Sequence, residues 1–226
     1  MLSLFLQIDT LIQPTTATHS QEKISLLHLL YEGGVLMIPL LICSILLVYI
    51  FIERWLVIRK VSKLDPLFMP RIREHITSGN LHSAKALARE TEGPIARMID
   101  KGISRIGKPI DHIEKSMENT GKLEVYKMEK NLSILSTLAG IAPMFGFLGT
   151  IAGMIILFFN IQHQGFSLES MAGGIYTKMV TSAVGLIIGL LAYIAYNFFN
   201  AQINKVVHRM ESASVELLDI LQEPAS

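Results

Sequence analysis

Apolar and polar positions in this chain fall into long blocks. Three blocks contain no charged residue: 33–52 (20 residues), 131–162 (32) and 179–204 (26). A helix needs about 20 apolar residues to cross about 30 Å of hydrocarbon, so each block is long enough to span a bilayer. A soluble protein rarely buries a helix of 26 to 32 uncharged residues. The pattern therefore predicts an all-α membrane protein with three transmembrane helices, the second and third long and extending into a cytoplasmic helical bundle.

Between the first two blocks the pattern changes to short amphipathic helices. Pro66 and Pro70 open this region, and Asn80 is placed to cap LHSAKALARE. Gly93 stops that helix before Pro94 opens the next, IARMIDKGISRIG. Leu81, Ala84, Leu87 and Ala88 make one apolar face, and Ile95, Met98 and Ile99 another, so the helices should form a small bundle.

From Gly121 a finer period takes over. Gly121, Val125, Met128, Leu132, Leu135, Ala139, Ala142, Gly146, Gly149 and Gly153 follow one another in alternating steps of four and three. That heptad seam predicts one helix of about 50 residues, about 75 Å long, running from charged sequence into the membrane block. Its side chains shrink from Val, Met and Leu to Ala and Gly on entering the block. Lipid drives helix association weakly, so small residues that let backbones approach supply the packing. Gly174, Lys178, Thr181, Gly185, Gly189, Ala192 and Tyr196 repeat the device in the third block. Two such seams predict packing of the second and third spans on each other, within a larger multi-chain assembly. Beyond Asn200, Ile203, Val207, Met210, Ser214, Leu217 and Leu221 line one face of an amphipathic C-terminal helix.

Half of the 226 residues are hydrophobic, and the mean hydropathy is positive. The charges that remain set the orientation. Of 20 Lys and Arg, 15 lie between Arg59 and Asn131, against 10 acidic residues there. Basic residues flanking spans stay in the cytoplasm, which places that region inside and the N-terminus outside. The expected organisation is a periplasmic N-terminus with an interfacial helix (1–34) and a first span at 35–58. A cytoplasmic helical region (59–120) follows, then a long helix holding the second span (121–162). A short periplasmic link (163–173), a third span (174–200) and a cytoplasmic C-terminal helix (201–226) complete it. The first ten residues lack the basic start and cleavage site of a signal peptide, so they are expected to be retained. Cys43 is the single cysteine, which excludes an internal disulfide, and a net charge of +1 gives no pull toward nucleic acid.

Candidate chemistry is sparse. His75, His82 and His112 show no metal-ligand spacing, and neither an enzyme nor a cofactor is expected. Arg54 and Trp55 mark the inner interface as anchors, and Lys178 should reach back to the outer one. The candidate groups within the second and third spans are three hydroxyls: Thr150, close to the small seam, and Thr181 and Ser182. Such a hydroxyl also satisfies itself on a carbonyl of its own helix, and Pro143 also serves as a kink. No Asp, Glu or His lies in 131–162 or 179–204. A hydroxyl holds water but does not carry a proton at ordinary pH. If the protein moves protons, another chain must bring the carboxylate.

AGIAPMFGFLGTIAGM (139–154) resembles the AP-x-x-G-x-x-GT-x-x-G signature of the MotA/TolQ/ExbB proton-channel family. GGIYTKMVTSAVGLIIGL (173–190) is similar to that family's span-three region. Three spans fit the ExbB/TolQ branch better than the four-span flagellar branch. The resemblance implies a homo-oligomeric, pentameric ring in the bacterial inner membrane. At its centre would stand helices of a single-span ExbD/TolR-like partner whose aspartate takes the proton. It also implies a TonB-like protein that drives outer-membrane transport, with a TolQ-like role in envelope constriction as the alternative. A non-conducting membrane scaffold is a third reading. By position Thr150 matches the family's pore threonine, and Ser182 takes the matching place in span three, with Thr181 one residue earlier. Many ExbB proteins carry a glutamate where this chain has Thr177. The implied proton path is lined by Thr150, Thr181, Ser182, Thr177 and Pro143. Ring packing would fall to Ala139, Ala142, Gly146, Gly149, Gly153, Gly185 and Gly189.

Overall fold

The computed structural model describes residues 35–61, 65–165 and 168–222. The interfacial helix expected near 25–34, Lys63 and the last four residues lie outside the described residues. Every element described is an α-helix. The order is α1 (Met37–Val61), α2 (Phe68–Thr77), α3 (Leu81–Glu90), α4 (Pro94–Ile103), α5 (Ile110–Glu129), α6 (Leu132–Gln164) and α7 (Leu168–Gln222). Three stretches are long and apolar enough to cross a membrane: α1, α5 with α6, and α7. The chain is thus an all-α, multi-pass membrane protein.

Local chemistry explains the short helices. The Asn80 side chain accepts a hydrogen bond from the Ser83 N–H at 3.1 Å, a standard N-cap for α3. Gly93, at φ 137°, takes a backbone angle that favours glycine, and Pro94 follows at the first position of α4. The stripe Ile95, Met98 and Ile99 is buried. Leu81 departs from expectation and is exposed; it is the first residue of α3 and lies beyond the turn where Ala84 and Ala88 are buried.

The heptad seam faces inward along its whole length. Gly121, Met128, Leu132, Leu135, Ala142, Gly146, Gly149 and Gly153 are buried, and Val125 and Ala139 half-buried. The helix carrying it, however, is not continuous. Lys130 is extended (φ −50°, ψ 136°) and Asn131 is left-handed (φ 63°), which separates α5 from α6. As expected of a long third helix that extends into the bundle, the third span and the C-terminal helix are one helix of 55 residues, about 80 Å long. α6 runs to Gln164 and α7 starts at Leu168.

α6 and α7 lie antiparallel and form the backbone of the molecule, with Leu135, Ala142, Ala192 and Phe199 fully enclosed between elements. α1 lies along one flank. Its Trp55 ring stacks on Phe198 at 6.0 Å, and Phe51 meets Phe199 at 5.3 Å. Its other face exposes Ile38, Ile42, Ile45, Tyr49 and Ile52, as expected of side chains that meet lipid tails. Beyond the apolar stretches, α2–α5 and the end of α7 form a polar bundle.

Candidate functional site

The two membrane helices meet through glycines and a proline. A Cβ added to Gly185 would stand 2.7 Å from the Ala142 carbonyl and 2.9 Å from the Gly146 Cα. One added to Gly146 would stand 3.1 Å from the Ser182 backbone. Pro143 has no N–H to give the Ala139 carbonyl one turn before it. Gly189 fits against both, since a Cβ there would overlap the Pro143 ring and lie 3.0 Å from the Ala139 oxygen. Further along, Gly149 receives the Thr181 methyl and Gly153 the Lys178 chain. These contacts lie within one chain. Within the chain the seam closes α6 on α7.

The hydroxyls separate into two groups. Thr181 is fully enclosed at the seam and donates to the Thr177 carbonyl at 3.2 Å; Thr177 donates in turn to Gly173 at 3.0 Å. Thr150 is half-buried and donates to the Phe147 carbonyl at 2.7 Å. Ser182 is half-buried and borders a hollow of about 710 Å³, apolar elsewhere, whose wall includes Pro143, Phe147 and Leu186. At about 100° per residue, Ser182 and Asn200 fall on one line along α7. Phe198, which touches α1, is about 160° away. Around α6, Thr150 lies within about 40° of both Pro143 and Ser136. Thr150, Pro143 and Ser182 therefore share the flank turned away from α1, whereas Thr181 is in the seam.

On that flank the structure assembles a group the motifs did not single out. Ser133, Ser136, Thr137, Tyr196 and Asn200 line a hollow of about 740 Å³ with Glu129 and Lys130 at its mouth. The i, i+3, i+4 spacing of three hydroxyls at the start of α6 was the available signal. Arg54, expected as an interface anchor, forms a second group with Glu53. Arg54 is buried, donates to the Met128 carbonyl at 3.2 Å and pairs with Glu53 at 2.7 Å. Glu53 accepts from the Asn131 amide at 3.0 Å. The pair thus holds the α5–α6 break against α1. Trp55 stacks between Phe51 and Phe198, and Lys178 lies over Gly153. Among the described residues no cluster of His, Cys, Asp or Glu could hold a metal ion.

The fold and its seam define a class: a multi-pass, all-helical membrane protein whose two uncharged blocks at 131–162 and 179–204 hold hydroxyls and no carboxylate. The model of the MotA/TolQ/ExbB proton channel family matches residues 90–212, more than half of the chain. The chain belongs to that family. It is 22% identical over 190 residues to a Methanothermobacter thermautotrophicus protein named as a homolog of biopolymer transport protein ExbB, covering 83% of this chain and 67% of that one. It is 24% identical over 110 residues to the ExbB of Xanthomonas campestris pv. campestris, covering 48% of this chain and 44% of the other. It is 28% identical over 113 residues to the Tol-Pal system protein TolQ of Pseudomonas aeruginosa, covering 50% and 49%. The chain thus spans about two thirds of the first relative and less than half of the other two.

Proposed function

We propose that this chain is the ring-forming stator subunit of a proton-driven motor in the bacterial inner membrane, energising TonB-dependent transport across the outer membrane. Its polar bundle would lie in the cytoplasm and its N-terminus in the periplasm. The observation that carries the reading is the combination of two tightly seamed spans, hydroxyls on their open flank, and no Asp, Glu or His in either uncharged block. A charge at the bilayer centre is expensive, so the titrating group comes only where it is used. A single-span ExbD/TolR-like partner would bring it as an aspartate, and several copies of this chain, five in the pentameric form, would enclose that helix. Thr150 and Ser182 would hydrate the aspartate, with Pro143 shaping the wall, while Thr181 and Thr177 would hold α7 in register behind them. The polar niche of Ser136, Tyr196 and Asn200 would lead protons out toward the bundle. Each proton falling through about 100 mV releases about 2.3 kcal/mol for the mechanical step. The likeness to TolQ supports a second reading, in which the same engine drives envelope constriction through a different downstream protein.

The test is proton flux into vesicles carrying the complex purified from its own membranes. Thr150→Ala combined with Ser182→Ala should lower flux at least about tenfold, equivalent to about 1.4 kcal/mol of barrier, while Thr150→Ser retains most of it. Unchanged flux in the double variant removes the pore role of these hydroxyls. Absence of flux in the unmodified complex leaves the scaffold reading.

A further inference from the structure

The open flank does not end at the membrane. Below the polar niche, and sharing Tyr126 and Glu129 with it, a hollow of about 520 Å³ runs between α5 and the polar half of α7. Its floor is apolar, formed by Met98, Val125, Val207, Met210 and Leu218. Two methionines give such a floor an adaptable surface. Tyr126 and Val215 stand beside it, 72% and 58% exposed. These side chains belong to the polar bundle, where an apolar patch bordered by charge marks a site for a partner. The rim carries Glu114, Glu118, Glu129 and Glu211 against one lysine, Lys122. Glu118 is paired with Lys115 and Lys122, and Glu211 lies 3.3 Å from His208, so the four acids still outnumber the one lysine on the rim. The rim acids on α5 span 15 residues, about 22 Å, the length of a helix of about four turns.

An apolar floor with an acidic rim fits an amphipathic helix that is basic on its polar side. A membrane protein with one span and its bulk outside carries Lys and Arg at the cytoplasmic end of that span. We propose that this groove docks the short basic segment preceding the span of the single-span partner, so that the partner is gripped outside the membrane as well as within it. The inference rests on the partner assigned above. It adds a site on this chain that the proton path does not require.

Photo-crosslinking tests it. A benzophenone amino acid replaces Val215 in the full chain, the complex is irradiated in its own membranes, and the joined peptide is sequenced. The expected product joins Val215 to a Lys- and Arg-rich segment next to the span of a small membrane protein. Glu114→Lys with Glu211→Lys should lower its yield at least about fivefold, while Glu74→Lys with Glu90→Lys, of equal charge change, leaves it intact. Both pairs are exposed, and equal thermal midpoints show that the variants fold. A crosslink to a second copy of this chain overturns the proposal, as does an undiminished yield after charge reversal. No crosslink while a single-span partner co-purifies also overturns it and leaves the motor reading standing. No co-purifying partner sinks the motor reading and this site with it.

Discussion

Gly185 and Gly140 show how differently one residue type can matter within the same two spans. A methyl group on Gly185 would press on the Ala142 carbonyl and the Gly146 Cα, both backbone atoms that no rotamer change can move. Gly140 has nothing within 4 Å of the same position. Gly185→Ala should therefore cost about 1–3 kcal/mol as α7 is pushed off α6. Gly140→Ala should be neutral or gain up to about 1 kcal/mol from helix propensity. Thermal midpoints of the detergent-solubilised protein separate the two. Equal midpoints would mean the spans do not meet at Gly185. The threonines obey a similar rule of place: one bond to the chain's own carbonyl serves Thr150, Thr177 and Thr181 alike. Only position around the helix distinguishes a hydroxyl on the open flank from one in the seam.

The break between α5 and α6 is a property of elements. Asn131 at φ 63° turns the chain where the charged helix meets the membrane helix. Asparagine tolerates that conformation, and a β-branched residue does not. Its amide also ties the turn to Glu53, while Arg54 covers the Met128 carbonyl at the end of α5. Asn131→Gly keeps the turn and loses the Glu53 bond, for about 1 kcal/mol. Asn131→Val loses both, and should cost about 1–2 kcal/mol more. Reversible denaturant titrations of the two variants check the order. A straight helix through this point, stabilised by valine, would reverse it.

At the scale of the whole molecule, α7 joins the membrane pair to the polar bundle, and the bundle has its own electrostatic tie. Glu124 of α5 is almost fully enclosed and paired with Arg97 of α4 and with Lys127. Burial pushes its carboxyl up, but the hydrogen bonds and charges of Arg97 and Lys127 outweigh it and hold the group below its usual value of 4.5. A carboxylate depressed in the folded state stabilises the fold above the unfolded value and loses that contribution as pH falls through the folded one. Stability of the bundle should thus decline below about pH 4.5. Glu118, held near 2 by Lys115 and Lys122, adds to the same slope on the surface. Glu124→Gln should lower the thermal midpoint at neutral pH and flatten its fall between pH 6 and 3. An unchanged acid slope in that variant would show that Glu124 is not its source.

Three spans, the helical class, the Asn80 cap, the Gly93–Pro94 boundary and the inward seam from Gly121 to Gly153 were all legible in the sequence. Each depends on hydropathy length, a local cap or a period, which neighbouring residues set by themselves. The same logic overreached at Asn131, where the heptad continues in register across a turn that only the contact with Glu53 and Arg54 of α1 makes visible. The third helix, expected to run on from the membrane into the bundle, does so as α7, because hydropathy changes there while the helix does not. Sequence named Thr150, Thr181 and Ser182 together. Which of them lies in the seam depended on how α6 packs on α7, and which on the open flank on where α1 packs, contacts between segments apart in the chain. The hydroxyl niche and the acidic groove have the same origin. Their walls come from α5, α6 and α7, and the residues of α7 become neighbours of those on α5 and α6 only when the two long helices pack antiparallel.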